Sequence, residues 1–206
     1  MRNDVFQKLI YQLDSKLYVL PIYKFVFKGH LIGRENIPQK DPFIMVSNHG
    51  SLLDPPLLGH ALGLNIAFMA KAELFKIPFL GFLIKACGAY PVKRGIADKN
   101  TIKTACKKLS NDNCIGIFID GTRQKNGRVN KPKQGAALLA FKNQKLLLPV
   151  AIVNSHKLIR FKFGIPLFSK IVIKVGEPVQ PPQSSSKDDL NSVTIYLQDK
   201  INNLIG

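Results

Sequence analysis

The stretch Phe43-Ile44-Met45-Val46-Ser47-Asn48-His49-Gly50-Ser51-Leu52-Leu53-Asp54-Pro55-Pro56 sets the reading of the whole chain. Its first five residues form an apolar run of strand length. Asp54 suits a helix N-cap, and prolines suit the first helical turn. A buried strand passing through a short loop into a helix is the repeating unit of an α/β sandwich. The same alternation continues on both sides. It predicts strands at 43–47, 66–70, 89–92, 114–119, 148–153 and 171–175, and helices after Asp54 and at 79–86, 98–109, 136–143 and 188–204. This pattern implies a single α/β domain over residues 29–206, built on a largely parallel or mixed sheet. Functional groups in such folds gather at the carboxyl ends of the strands, which is where the 48–54 loop falls.

The chain has 206 residues, with 30 Lys and Arg against 13 Asp and Glu, a formal net charge of +17. That length suffices for a buried core, and 46% hydrophobic residues exclude a disordered chain. Three cysteines without metal-like spacing argue against a disulfide framework and for a reducing compartment. No apolar run reaches the roughly 18 residues a membrane span requires, and the N-terminus lacks a signal-peptide pattern, so a cytosolic location is expected. The positive surplus predicts an anionic partner: nucleic acid, anionic lipid or a phosphorylated substrate. It is concentrated at 93–133, where eleven Lys and Arg face three Asp. No helix-turn-helix, zinc-finger or RNA-binding signature accompanies it, so no nucleic acid is expected.

Residues 1–28 read differently. Val5, Phe6, Leu9, Ile10, Leu13 and Leu17 recur at helical spacing, and Pro21 should break that helix. Ile22, Tyr23, Phe25, Val26 and Phe27 then form a second, denser apolar patch with Lys24 and Lys28 beside it. Such a segment suits an interfacial membrane helix or a helix packed on its own domain.

His49 is one of only four histidines and lies five residues before Asp54. On a continuous helix the two would stand about 140° apart, but a loop can fold them together. An aspartate bonded to one imidazole nitrogen fixes the tautomer and leaves the other free to take a hydroxyl proton. Alternatively, Asp54 is only a cap and His49 only a loop residue. Ser51 lacks the Gly-x-Ser-x-Gly setting of a serine nucleophile, and no second His or Cys stands at zinc-like spacing, so no metal is expected.

The order of the segments that follow resembles the glycerophospholipid acyltransferases, specifically the 1-acyl-glycerol-3-phosphate acyltransferase family. Asn48, His49 and Asp54 match its Asn-His-x-x-x-x-Asp motif. Gly33-Arg34-Glu35-Asn36-Ile37-Pro38 resembles the lead-in, and Lys71-Ala72-Glu73-Leu74 with Pro78 and Gly81 resembles a Lys-x-Glu-Leu segment. Gly88-Ala89-Tyr90-Pro91-Val92-Lys93-Arg94 is similar to the second motif, Phe118-Ile119-Asp120-Gly121-Thr122-Arg123 to the third and Leu148-Pro149-Val150-Ala151 to the fourth. Tyr90-Pro91-Val92-Lys93 lacks the acidic residue that often precedes the second motif's arginine, and two positions of the third motif depart as well. Ile119 and Asp120 replace the usual Pro-Glu, and a side chain one methylene shorter must make its contacts nearer the backbone.

The resemblance implies transfer of a fatty acyl group from acyl-CoA or acyl carrier protein to the free hydroxyl of lysophosphatidic acid, yielding phosphatidic acid without a cofactor. His49 would be the general base and Asp54 its orienting partner. Lys71, Arg94, Asp120, Gly121, Thr122 and Arg123 would bind substrate. The resemblance also favours residues 1–28 as an amphipathic helical pair on the cytoplasmic side of an anionic membrane, peripheral or monotopic. Glycerol 3-phosphate or a lyso-glycolipid are alternative acceptors, and non-catalytic lipid or nucleic-acid binding is the alternative class.

Overall fold

The computed structural model describes residues 21–206 apart from 65, 79, 80, 82, 83, 85–88, 93–98, 163 and 164, with backbone alone at 99, 100, 159–162 and 165–167. In chain order the strands are β1 (His30–Ile32), β2 (Ile44–Ser47), β3 (Ile66–Lys71), β4 (Tyr90–Val92), β5 (Cys114–Phe118), β6 (Leu147–Val153), β7 (Ile159–Lys162), β8 (Ile165–Phe168) and β9 (Val172–Val175). The helices are α1 (Asp54–Leu62), α2 (Lys99–Ser110), α3 (Gly135–Asn143) and α4 (Lys187–Ile205). The fold is the α/β sandwich expected from the alternation. Seven strands form one mixed sheet in the order β1-β9-β6-β2-β5-β3-β4, with β7 and β8 as a separate hairpin.

Every pairing in the large sheet is parallel except β6 with β9. β2 lies at the centre and is buried along its whole length, as a strand covered on both faces must be. Met45 joins the core formed with Leu57, Leu58 and Ala61 of α1, while Ile44 and Val46 join Ala105, Ala136, Leu139 and Leu197 from α2, α3 and α4. The period-two alternation of β2 thus divides the interior into two cores, one per sheet face.

Two structural features escaped the pattern reading. β1 is a three-residue edge strand with both ends exposed, and so carries no burial periodicity. The β7–β8 hairpin falls in a stretch whose basic residues masked its alternation. The expected helix at 79–86 lies largely outside the described residues, as does all of 1–20. At 22–26 the chain forms a π-helical turn, and Tyr23 and Phe27 enter the α1-side core. The Tyr23 hydroxyl donates to the His30 carbonyl at 2.6 Å.

The crossover topology positions the site. β5 inserts between β2 and β3, so Ser47 pairs with Phe118 and the loops leaving β2 and β5 emerge side by side. Close to this edge, Gly116 makes room for a neighbour: a Cβ there would lie 2.4 Å from the Phe68 ring. Phe68 in turn stacks on Phe118, with centroids 5.4 Å apart. Gly116→Ala should therefore overpack the strand and cost about 1–3 kcal/mol, read as a lower urea midpoint. An unchanged midpoint would mean that Phe68 relocates freely.

Candidate active site

The loop from Asn48 to Asp54 is organised by backbone chemistry. Asn48, fully buried at the end of β2, donates through Nδ2 to the carbonyls of Gly127 (2.7 Å) and Ile152 (3.0 Å), and its Oδ1 accepts from Ile152 N–H (2.8 Å). One side chain therefore ties the exit of β2 to β6 and to the loop after β5. His49 follows, 6% exposed. Its carbonyl accepts from Gln124 N–H at 2.7 Å, a second tie to the β5 loop.

Asp54 is fully buried, and its Oδ2 accepts three hydrogen bonds: from His49 Nδ1 (2.8 Å), Gly50 N–H (2.7 Å) and Ser51 N–H (2.9 Å). This corrects the expected capping role. Leu53 occupies the N-cap of α1, and the Asp54 carboxylate turns back to the preceding loop. The reason lies in the sequence. Pro56 has no N–H, and Leu57 N–H, the donor a cap at Asp54 would still have, bonds instead to the Leu53 carbonyl at 3.0 Å. An ionised carboxylate only accepts, so His49 Nδ1 carries the proton and Nε2 is left as an acceptor. The imidazole also stacks on Phe118, centroids 3.9 Å apart and planes 14° from parallel. Ring orientation is thus fixed by a hydrogen bond on one edge and an aromatic face beneath.

Ser155 and His156, just after β6, pack against this loop. A Cβ on Gly50 would lie 2.8 Å from Ser155 Oγ and 2.7 Å from His156 N. Burial pushes the His156 pKa below its ordinary value and Lys157 adds to the shift, while Asp54 opposes it.

His49 lines a cavity of about 610 Å³ between the carboxyl edge of the sheet and the helical layer. Its walls are mostly apolar: Met69, Val92, Ile102, Ala105, Ile117 and Leu139 among others. Gly121 and Thr122 share the lining with His49.

Lys71, Arg123 and Asp120, the other described residues predicted to bind substrate, do not line it. Lys71 stands exposed at the end of β3, 3.7 Å from Glu73. Arg123 is exposed in the β5 loop. Asp120 is 3% exposed, and its Oδ1 accepts from the N–H groups of Asn130 (3.2 Å) and Lys131 (2.6 Å). Its carboxylate is thereby engaged with backbone amides, bracing the loop that carries Thr122 and Arg123. Arg94 lies outside the described residues. Among the described residues, no group of three or more His, Cys, Asp or Glu stands together as metal ligands would.

Sequence reasoning assigned no role to Asn48 or Phe118, although both fall inside the quoted motifs. It gave none to Lys133, a further polar lining residue. Its place beside Gly121 depends on the return of the β5 loop, which no local pattern announces.

Comparison with known proteins bears on the family and the fold. A family model described as Acyltransferase matches residues 29–153. The 1-acyl-sn-glycerol-3-phosphate acyltransferase of Bacillus subtilis is 32% identical over 83% of this chain and 85% of its own length. The chloroplastic 1-acyl-sn-glycerol-3-phosphate acyltransferases LPAT1 of Arabidopsis thaliana and BAT2 of Brassica napus are 31% and 29% identical, over 75% and 91% of this chain. The chain spans about half the length of these two plant relatives, 44% and 54%. The crystal structure of the 1-acyl-sn-glycerophosphate acyltransferase PlsC from Thermotoga maritima superimposes with a TM-score of 0.76 at 28% identity, covering 98% of this chain and 80% of that one. With its His49–Asp54 loop, its sheet order and these matches in hand, the chain belongs to the acyltransferase family that includes the 1-acyl-sn-glycerol-3-phosphate acyltransferases.

Proposed function

We propose that this protein transfers a fatty acyl group from a thioester, acyl-CoA or acyl carrier protein, to the free hydroxyl of 1-acyl-glycerol 3-phosphate, making phosphatidic acid. The observation that carries the reading is the His49–Asp54 hydrogen bond at an apolar cavity, since this pairs a base with room for an acyl chain. His49 Nε2 takes the acceptor's hydroxyl proton as the oxygen attacks the thioester carbonyl carbon. Asp54 stabilises the imidazolium through Nδ1–H, the division of labour of a hydrolytic triad without an enzyme nucleophile. The tetrahedral intermediate then collapses, the C–S bond breaks, and the imidazolium proton passes to the departing thiolate. The chemistry of this route uses no cofactor beyond the acyl donor.

The phosphate of the acceptor needs cations near the base. Arg123 and Lys71 follow the carboxyl ends of neighbouring strands, and arginine suits bidentate contact with phosphate oxygens. Gly121 and Thr122 line the cavity with His49.

The substrates are lipids, and the described residues contain no helix long and apolar enough to cross a membrane. The reading is of peripheral attachment to an anionic membrane on its cytoplasmic side, through residues 1–28. Two supports come from the described part of that segment. Ile22, Phe25 and Val26 are exposed, Phe25 to 79%, while Tyr23 and Phe27 anchor the same turn in the core. Lys24 and Lys28 flank these apolar groups, as in interfacial segments.

Two measurements test this reading. Wild type and Asp54→Asn should be offered a labelled acyl thioester with lysophosphatidate, glycerol 3-phosphate and a neutral lysolipid. Wild type should favour lysophosphatidate. Asparagine keeps an oxygen for the Gly50 and Ser51 amides but loses the charge that supports protonated His49, so turnover should fall, by as much as ~10⁴ on the triad analogy. Near-normal turnover in that variant would remove Asp54 from the chemistry. For the membrane, Phe25→Asp should weaken flotation with anionic vesicles about ten-fold or more, from the lost burial of one aromatic ring. Its melting temperature should hold, since the wild-type ring is exposed. Equal flotation would place the contact elsewhere.

A further inference from the structure

Lys133 is absorbed by neither the motif pattern nor the reading above. Its backbone N–H donates to the Ile119 carbonyl at 2.9 Å, which pins the residue beside the end of β5. Its side chain lies along Gly121: a Cβ built there would be 3.2 Å from Nζ and 3.5 Å from both Cδ and Cε. Gly121 has φ +69°, a left-handed conformation, and carries no side chain between the ammonium and the backbone turn. Lys133, Gly121, Thr122 and His49 line one cavity. Among the described residues, the ion pairs are His49 with Asp54, Lys71 with Glu73 and Lys200 with Glu177, so no carboxylate there neutralises Lys133.

We propose that Lys133 is a specificity-determining residue that binds the acceptor's phosphate monoester and so selects a phosphorylated acceptor over a neutral one. The inference rests on the acyltransfer reading and deepens it. In a 1-acyl-glycerol 3-phosphate the reacting hydroxyl and the phosphate ester sit on neighbouring carbons. A phosphate held while that hydroxyl meets His49 must therefore lie within the same cavity mouth. In a coenzyme or carrier thioester, by contrast, the nearest phosphate lies at the far end of a pantetheine arm. A cation sharing the cavity with the base fits the near phosphate. Arg123 and Lys71 do not line the cavity.

The test compares wild type, Lys133→Gln and Lys133→Arg, all full length. Each is assayed with lysophosphatidate and with 1-monoacylglycerol, and the KM of the thioester is measured separately. In Lys133→Gln the preference for the phosphorylated acceptor, as the ratio of kcat/KM values, should fall about ten-fold or more. The loss should sit in the KM for lysophosphatidate, and arginine should restore most of it. An unmoved ratio overturns the proposal, as does a rise confined to the thioester KM, which would assign Lys133 to the donor. Calorimetric binding of lysophosphatidate and monoacylglycerol in mixed micelles separates this from the underlying reading. If wild type makes no phosphatidate yet binds lysophosphatidate better in a Lys133-dependent way, the reaction assignment falls and the phosphate site stands. If wild type makes phosphatidate and the Lys133→Gln ratio is unchanged, the reverse holds. Should the glutamine variant fail to fold, Lys133→Met carries the same comparison.

Discussion

The carboxylate of Asp54 has no access to solvent, and one of its oxygens holds the imidazole of His49 and two backbone N–H groups at once. A buried charge costs several kcal/mol unless it is hydrogen-bonded, so these bonds are a condition of folding. The constraint runs both ways. Gly50 and Ser51 must wrap back over Asp54 to satisfy it, and that curl brings His49 to the carboxylate. The helix start reinforces it: Pro55 and Pro56 offer no amide proton, and Leu57 N–H is taken by the Leu53 carbonyl. A motif of seven residues is thus self-assembling locally.

What the motif cannot do alone is aim His49 at anything. That depends on strands far apart in sequence. The pairing of Ser47 with Phe118 places an aromatic ring under the imidazole, and Phe68, admitted by Gly116, supports that ring from β3. Asn48 fixes the opposite side by bonding across to Ile152 of β6 and to Gly127. Asp120 braces the intervening loop through the amides of Asn130 and Lys131. The helical layer leaves an apolar space beside this edge, and one end of it is His49. His49, the apolar cavity and the β5 loop share one sheet edge because β5 enters between β2 and β3.

The division between what could and could not be read from the sequence follows from the range of the interactions. His49 and Asp54 were legible because their partnership closes within six residues. The central strands were legible because burial on both faces leaves apolar runs, as in β2 and β6. Capping stayed open beside that partnership, because residue preference at helix starts does not show that Leu57 N–H bonds to the Leu53 carbonyl and that Leu53 takes the N-cap. β1, with both ends exposed, and the β7–β8 hairpin had no comparable signal. Phe118 as a platform and Lys133 as a cavity residue depend on contacts between the β2 and β5 loops or across the β5 loop's return, and no window of sequence contains them. Tyr23 and Phe27 looked like part of a membrane segment, yet their rings belong to the core while Phe25 between them faces out. Composition records that such a patch exists; only packing separates its two faces.

The central claim is that Asp54 holds His49 in the one tautomer able to accept a hydroxyl proton at Nε2. Nitrogen-15 NMR of the ring-labelled protein tests it most directly, with the His49 signals identified by their loss in His49→Ala. At a pH where the ring is neutral, the account predicts a protonated Nδ1, shifted by a strong hydrogen bond to carboxylate, and an unprotonated Nε2. A spectrum showing the proton on Nε2, or a rapidly averaging mixture of the two tautomers, would contradict it.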